Sequence, residues 1–257
     1  MNFAGKRVVV TGGTRGIGLA ISKAFAAGGA CVAMVYRSND DAAQAALAQL
    51  EASGGGAAGK HSLHCADVAG PEQVRLVIDE AALALGGLDI VVNNAGIGIY
   101  HPIDSTNYED WQAAWQQTLA ANLVGPANVC FCAAQHMMKS GGGRIVNITS
   151  RGAYRGEPIK PAYGASKAGL TSLSQSLAIA LAPHKIFVGA VAPGFVNTEL
   201  TAERLASSEG VEIKAQSPFN RVAEPEEVAH AVLFLASTGA EFSTGTVIDV
   251  NGASYLR

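Results

Sequence analysis

Short runs of Val, Ile, Ala and Cys with few polar interruptions alternate along this chain with longer stretches whose apolar residues recur at helical spacing. The short runs fall at 7–11, 31–36, 62–66, 89–93, 144–149, 186–192 and 246–250, and the spacing predicts helices over 17–27, 41–52, 71–85, 108–139, 162–181 and 225–236. Runs that are mostly apolar, without clean alternation, suit strands covered on both faces. Their regular exchange with helical segments is the mark of βαβ units. The expected architecture is one α/β domain over 1–257, a doubly wound parallel sheet of about seven strands with helices on both faces. Pro71 and Pro225 suit first helical turns, and Gly28 and Gly29 suit a helix stop. The glycine-rich stretch 53–59 reads as a surface loop, and no internal repeat is present.

Composition narrows the partners. Hydrophobic residues make up 49% of the 257 and charged ones 15%, which suits a packed core rather than disorder. The formal net charge is −3 and no Lys/Arg run tracks a phosphate backbone, so nucleic acid is not an expected partner. No uncharged stretch reaches the roughly 18 apolar residues of a membrane span. The start, Met1 to Lys6, carries no apolar leader, so a cytoplasmic protein is expected. Cys31, Cys65, Cys130 and Cys132 sit in apolar segments and are expected as thiols. Cys130 and Cys132 face apart on a helix and no second pair matches them, so no metal site is expected.

Directly after the first strand stands Thr11-Gly12-Gly13-Thr14-Arg15-Gly16-Ile17-Gly18, followed by a helical pattern. A turn in that place aims helix N-terminal amides and the positive dipole end at an anion, and the missing side chains let a pyrophosphate approach the backbone. The glycine spacing is not the general G-x-G-x-x-G fingerprint, and no Gly-Lys-Ser/Thr ending marks a triphosphate loop. Arg15 in the loop and Arg37 after the second strand suit a ribose 2′-phosphate. Tyr36 stands where an NAD-selective site places an acidic residue, and Asp40 and Asp41 lie too far along to take that role. The cofactor expected is NADP(H), held in a Rossmann-type fold.

The fifth strand ends at Ser150, and thirteen residues on comes Tyr163-Gly164-Ala165-Ser166-Lys167. Positions i and i+4 share a helix face, so the Lys167 ammonium reaches the Tyr163 phenol and draws its pKa down from about 10 toward the range of a general acid/base. Ser150 is placed to hydrogen-bond a substrate oxygen as charge develops. No G-x-S-x-G elbow surrounds it and no His/Asp pair completes a hydrolase triad.

With these motifs in order, the chain resembles the short-chain dehydrogenase/reductase family over essentially its full length. Residues 11–18 are similar to its TGxxxGxG loop, Asn93-Asn94-Ala95-Gly96 to its NNAG segment, and 163–167 to its YxxxK pair; Pro193-Gly194 with Thr198 also match. The resemblance implies hydride transfer between nicotinamide and a carbonyl or alcohol, with Tyr163 moving the proton and Ser150 positioning the oxygen. It implies that Asn122 holds a water relay behind Lys167 and that Asp67 and Val68 border the adenine. Lys167 would also bind the nicotinamide ribose, and Val196 and Thr198 the carboxamide. Gly12, Thr14, Arg15, Gly16, Ile17, Gly18, Tyr36, Arg37, Asn94, Ala95, Gly96, Tyr163, Pro193 and Gly194 complete the expected cofactor set. The family also implies a homotetramer of dihedral symmetry, consistent with the alanine-rich apolar stretches after Tyr108 and Ala162.

The nearest subgroup by resemblance is the 3-oxoacyl-[acyl-carrier-protein] reductases, which implies a 3-oxoacyl thioester as one substrate. Two arginine neighbourhoods of that subgroup read Ser140-Gly141-Gly142-Gly143 and Pro183-His184-Lys185 here, Gly189 replaces an asparagine, and Val250-Asn251-Gly252 replaces Asp-Gly-Gly. Arg151, Tyr154, Glu157, Ile99 and Phe195 are expected at the mouth. The stretch 200–219, polar and weakly periodic, reads as a lid loop. Arg151 suits a substrate carboxylate or phosphate, or an ion pair with Glu157. An NAD-dependent alcohol or sugar dehydrogenase and a non-catalytic NADP-binding sensor stand as alternatives.

Overall fold

The computed structural model describes residues 1–52 and 61–257, so the surface loop expected at 53–59 lies outside the described residues. Seven strands, β1 (Arg7–Thr11), β2 (Cys31–Tyr36), β3 (Ser62–Cys65), β4 (Ile90–Asn93), β5 (Gly143–Ile148), β6 (Ile186–Pro193) and β7 (Val247–Val250), form one sheet in the order β3-β2-β1-β4-β5-β6-β7. Every pairing is parallel. Successive side chains alternate between two cores, as strand geometry requires. Val8, Val10 and Val92 face one, roofed by Ile21 and Phe25 of α1 (Gly16–Ala27) and by Val228 and Val232 of α10 (Pro225–Ala236). Val9, Val91 and Ile145 face the other, covered by Val74 and Ile78 of α3 (Pro71–Leu85), Val129 and Met137 of α5 (Gly125–Lys139) and Ala178 of α7 (Pro161–Leu181). The remaining long helices are α2 (Asp40–Ala52) and α4 (Tyr108–Leu119).

Strand order reverses between β1 and β4, and at such a switch point the loops leaving the two strands diverge and open a crevice at their C-terminal ends. In open α/β sheets such a crevice is where ligands bind.

Two expectations are corrected. The single helix expected over 108–139 is broken by a π-helical turn, Ala120–Val124, between α4 and α5. Pro126 in the first turn of α5 has no N–H to give, and the Gly125 N–H reaches back to Ala120 O instead of one residue nearer. A Cβ at Gly125 would stand 2.5 Å from the Val68 carbonyl oxygen, so the helix also needs the glycine to lie against that backbone. The second correction concerns 200–219, which is helical and not a loop: α8 (Glu199–Ala206) and α9 (Glu209–Ala215) follow one another there. Thr198 and Thr201 close α8 with a capping box, which the search for Ser/Thr-x-x-Glu/Gln pairs does not reveal. Other element ends shift by one or two residues, the usual fraying of boundaries.

Candidate active site

At the end of β1 the backbone itself makes the site. Gly12 has φ +63°, and a Cβ at Gly18 would lie 1.9 Å from the Gly12 carbonyl oxygen and 2.6 Å from Asn94 Nδ2, so the turn closes only on glycine. Asn94 fastens it: its Nδ2 donates to Thr11 O and Gly12 O, each at 3.0 Å, while the Asn94 and Ala95 amides donate to Thr11 Oγ1 at 3.0 and 3.1 Å. The helix that follows starts at Arg15 without a side-chain cap and without an acidic residue in its first turn, which leaves its positive end uncompensated. Thr14 and Gly16 shape the same turn, and Ile17 anchors it by packing on the first core. A pyrophosphate fits this cradle of small residues and free dipole.

The turn is joined to the rest of the crevice by two close approaches. A Cβ at Gly16 would sit 3.3 Å from Thr198 Cγ2, and one at Gly96 would sit 3.2 Å from Asn122 Oδ1 and 3.4 Å from Lys167 Nζ. Pro193 and Gly194 hold the wall behind: the Pro193 carbonyl accepts from the Arg151 amide at 2.9 Å, and the Gly194 amide donates to Val250 O at 2.9 Å. Val196 is buried and bridges Ala223.

At the end of β2, Arg15 and Arg37 are exposed and hold no ion pair among the described residues. Asp40, remote in sequence from the expected ribose position, is folded back by α2 so that Tyr36 Oη donates to its Oδ1 at 2.8 Å. That hydrogen bond is the first cause raising the Tyr36 phenol above its ordinary range. Asp67 caps the turn after β3, accepting the Ala69 amide at 2.9 Å, and the Val68 side chain packs on the second core. These residues flank the crevice without contacting the β5 group described next.

Ser150 lies two residues past the end of β5, and its Oγ accepts the Gly152 amide at the start of α6 (Gly152–Arg155), at 3.0 Å. Tyr163 stands in the first turn of α7, close enough to Ser150 for that hydroxyl to act on the phenol. Lys167 is buried one turn further on and donates from Nζ to Ile148 O at 2.8 Å, with its ammonium 5.8 Å from the Tyr163 ring centre. Burial, without a carboxylate beside it, pushes Lys167 down to about 8. The expected lowering of the Tyr163 pKa is not found: burial raises the phenol, the Ser150 hydrogen bond only offsets this, and Glu157 adds to the rise. Burial outweighs the other influences on the phenol, and the Lys167 ammonium stands 5.8 Å from the ring centre.

Asn122, buried in the π turn, exchanges two 2.8 Å hydrogen bonds with the Ile97 backbone and donates to Ser166 Oγ at 3.2 Å, which in turn donates to Tyr163 O at 2.7 Å. The widened turn thus ties β4's loop to the tyrosine helix. His101 does the same from its other side: its Nε2 accepts the Ala162 amide at 3.2 Å while Nδ1 donates to Ile99 O at 2.8 Å. His101 lies outside what the sequence motifs report, as does Lys160, whose ammonium stands 4.5 Å from the Tyr163 ring centre. The i, i+3 spacing of Lys160 and Tyr163 is the sequence signal that carries it. Lys160 pairs with Glu157 at 3.9 Å, and Arg151 turns to Gln216 and Ser254, so the expected Arg151–Glu157 pair is not formed.

Among the described residues no group of three or more His, Cys, Asp or Glu side chains is placed to hold a metal ion, and no helix is long and apolar enough to cross a membrane.

Residues 12–253 match the family model described as Enoyl-(Acyl carrier protein) reductase. Among curated proteins the chain is 37% identical over 257 residues to 3beta-hydroxysteroid dehydrogenase 1 of Eggerthella lenta, covering 99% of this chain and 95% of that one. It is also 37% identical over 255 residues to the 3-oxoacyl-[acyl-carrier-protein] reductase FabG of Aquifex aeolicus, covering 99% of each. Among solved structures, a short chain dehydrogenase from Burkholderia cenocepacia J2315 in complex with NADP superposes with a TM-score of 0.89 at 34% identity, covering 99% of both chains.

Proposed function

The chain belongs to the short-chain dehydrogenase/reductase family of oxidoreductases, and from that premise we propose that it is an NADPH-dependent enzyme that interconverts a carbonyl and the corresponding alcohol. The observation that carries this reading is the meeting of Ser150, Tyr163, Lys167 and Asn122 at the C-terminal edge of the sheet, beside a turn that only glycine can close. When bound, the cofactor supplies the hydride.

The chain's own residues do the rest. Tyr163 gives its phenolic proton to the substrate oxygen as the carbonyl is reduced, and takes it back in the opposite direction. A phenol held protonated by burial suits the acid role. Ser150, fixed by the Gly152 amide, directs its hydroxyl at the same oxygen as negative charge develops. Lys167 lies behind the tyrosine with three donors, of which one is used by Ile148 O; the others are available to the nicotinamide ribose and to the phenolate left after proton transfer. Asn122 and Ser166 hold the tyrosine helix in register with the β4 loop.

Gly12, Thr14, Gly16, Ile17 and Gly18 take the pyrophosphate, Asn94, Ala95 and Gly96 the ribose side, and Pro193, Gly194, Val196 and Thr198 the nicotinamide end. Asp67 and Val68 border the adenine, and Arg15 and Arg37 take the 2′-phosphate. One observation favours a second reading, NAD in place of NADP: Asp40 is brought to the end of β2 by Tyr36. Comparison of NADPH and NADH dissociation constants separates the two.

The same reading makes α8 and α9 the substrate lid. It also includes a homotetramer, supported by the exposed Val124 at the end of the π turn, Phe131 on α5 and Ile179 on α7, and a cytoplasmic setting, where the four free thiols suit a reducing milieu. A light-scattering mass near that of one chain would remove the tetramer. The function itself is tested by NADPH and NADH oxidation against β-ketoacyl thioesters, ketones, sugars and quinones, with Tyr163→Phe as control. Turnover lost in the variant supports it, and cofactor binding without turnover on any carbonyl points to a sensor instead.

A further inference from the structure

Directly after Ser150 stands a cation that forms no ion pair among the described residues. Arg151 is 6% exposed, and among the described residues no carboxylate lies within ion-pair distance of it. Its two terminal nitrogens donate to neutral groups instead, Nη1 to Ser254 Oγ at 2.6 Å and Nη2 to Gln216 Oε1 at 2.9 Å. Arg155 Nη1 donates to that same Gln216 oxygen at 2.8 Å. Two guanidiniums therefore converge on one uncharged amide oxygen, which has lone pairs for both but no charge to balance either. A carboxylate or phosphate oxygen is the group that matches such a fork.

The surroundings sharpen the imbalance. Arg151 and Arg204 stand 5.5 Å from the centre of the Phe195 ring, and the nearby carboxylates are already engaged, Glu209 with Arg204 at 2.7 Å and Glu157 with Lys160 at 3.9 Å. Arg151, Arg155, Lys160 and Arg204 thus share Glu157 and Glu209, while Glu227 and Asp249 each have a cation of their own, Arg221 and Arg257. Burial pushes the Arg151 guanidinium down and Arg155 pushes it further, with Glu157 acting the other way. Arg151 also lines a cavity of about 160 Å³ with Phe195, Ser217 and Ser254, whose two carboxylates, Glu227 and Asp249, are already paired with Arg221 and Arg257. Arg151 follows Ser150 directly in the chain, and its amide is fixed to the Pro193 carbonyl at 2.9 Å on the wall behind the site.

We propose that the carbonyl substrate carries an anionic group, a carboxylate or a phosphate, which Arg151 and Arg155 hold in the place taken by the Gln216 amide oxygen. This rests on the oxidoreductase reading above. Gln216 caps α9, so the anion displaces a contact of the lid segment and the arginines recognise the substrate from the side of Ser150.

The test uses matched pairs that differ in charge: pyruvate and laevulinate against their methyl esters, and dihydroxyacetone phosphate against dihydroxyacetone. With NADPH, the wild-type kcat/KM for at least one anion exceeds that for its uncharged partner by about tenfold to hundredfold, the size of a charge-assisted hydrogen bond. Gln216→Glu places a carboxylate of the chain between the two guanidiniums; it raises Tm and collapses the ratio toward one. Arg155→Gln, at an exposed position, lowers the same ratio about threefold to tenfold even where a buried Arg151 variant fails to fold. Binding of the same compounds to the NADPH-loaded protein is measured in parallel by calorimetry. Anion-selective binding that Gln216→Glu abolishes, without turnover on any carbonyl, sustains the anion site and sinks the reductase reading. Turnover equal for charged and uncharged partners, or a ratio that survives Gln216→Glu, overturns the anion site and leaves the reductase reading standing. Absence of both selective binding and selective turnover overturns it as well. Preference for the phosphate pair over the carboxylate pairs, or the reverse, identifies which anion is meant.

Discussion

At β1 the site is made of backbone, and at β5 it is made of side chains. The cofactor half depends on what is missing: Gly18 lacks the Cβ that would meet Gly12 O at 1.9 Å, and the N-terminus of α1 lacks an acid or a capping side chain. The substrate half depends on what is added, with Ser150, Arg151, Tyr163 and Lys167 each aimed by partners from other elements. A cradle of backbone dipoles is set by local sequence and binds one invariant chemical group, a pyrophosphate. A cluster of side chains varies one residue at a time, so the same scaffold serves different carbonyls.

The largest effect that tests this contrast falls on the side-chain half. Tyr163→Phe removes the proton and keeps the ring, and kcat falls about 10²–10⁴-fold; a drop smaller than tenfold would take the proton transfer away from Tyr163. Next comes the backbone half, where Gly18→Ala sets a methyl group against a carbonyl that cannot retreat. NADPH affinity, read by fluorescence titration, falls about a hundredfold, with overpacking strain of about 1–3 kcal/mol. An affinity within threefold of wild type would show that the turn adapts, and with it that the cradle is not built by exclusion.

Acidity gives the next test. Lys167 sits at about 8, so the ammonium of the free enzyme is lost as pH rises through that value, and kcat/KM for reduction falls about tenfold per unit above it. Lys167→Arg, always charged, moves this limb beyond the measurable range. Stability runs the other way. The folded pKa lies below the ordinary 10.5, so the unfolded chain binds the extra proton between about 8 and 10.5. This group's contribution therefore grows as pH climbs through that window and is lost as pH falls through about 8. Smaller again is Arg37→Ala, which raises the NADPH dissociation constant relative to that of NADH about tenfold, as loss of one charge-assisted phosphate contact would. An unchanged ratio transfers weight to Asp40 and to NAD.

These two halves were unequally legible in the sequence. All seven strands stand within a residue or two of where apolar runs place them, because a parallel strand buried on both faces must be apolar along its length. The turn at 12–18 and the Tyr163–Lys167 pair are short-range patterns, and the structure brings each together. The mouth is a different matter. Arg151 meets Gln216 and Ser254 across 65 and 103 residues, and no local spacing encodes such contacts. The π turn at Asn122 also escaped periodicity, since inserting one extra residue per turn changes the apolar pattern of 108–139 by less than its own irregularity. The Tyr163 pKa went astray for a third reason: i, i+4 spacing brings a lysine near, but it does not report how deeply the fold buries the phenol, and burial is the largest influence on it.

A glycine in the substrate half gives the smallest effect and the sharpest control. Gly156, between α6 and α7, has φ +83° and ψ 147°, and a Cβ there would meet nothing within 4 Å. Its requirement is conformational only, whereas Gly18 has an ordinary φ and a collision. Gly156→Ala costs about 1–3 kcal/mol of stability by denaturant unfolding, because that backbone region is essentially closed to residues with a Cβ. The protein absorbs this as a Tm lower by several degrees. Because Glu157 follows directly and pairs with Lys160 beside the Tyr163 ring, any shift of the turn is read at the active site as well. A fall in kcat/KM as large as that of Gly18→Ala would show that the substrate half, too, is positioned by its backbone, and the contrast between the two ends of the sheet would be lost.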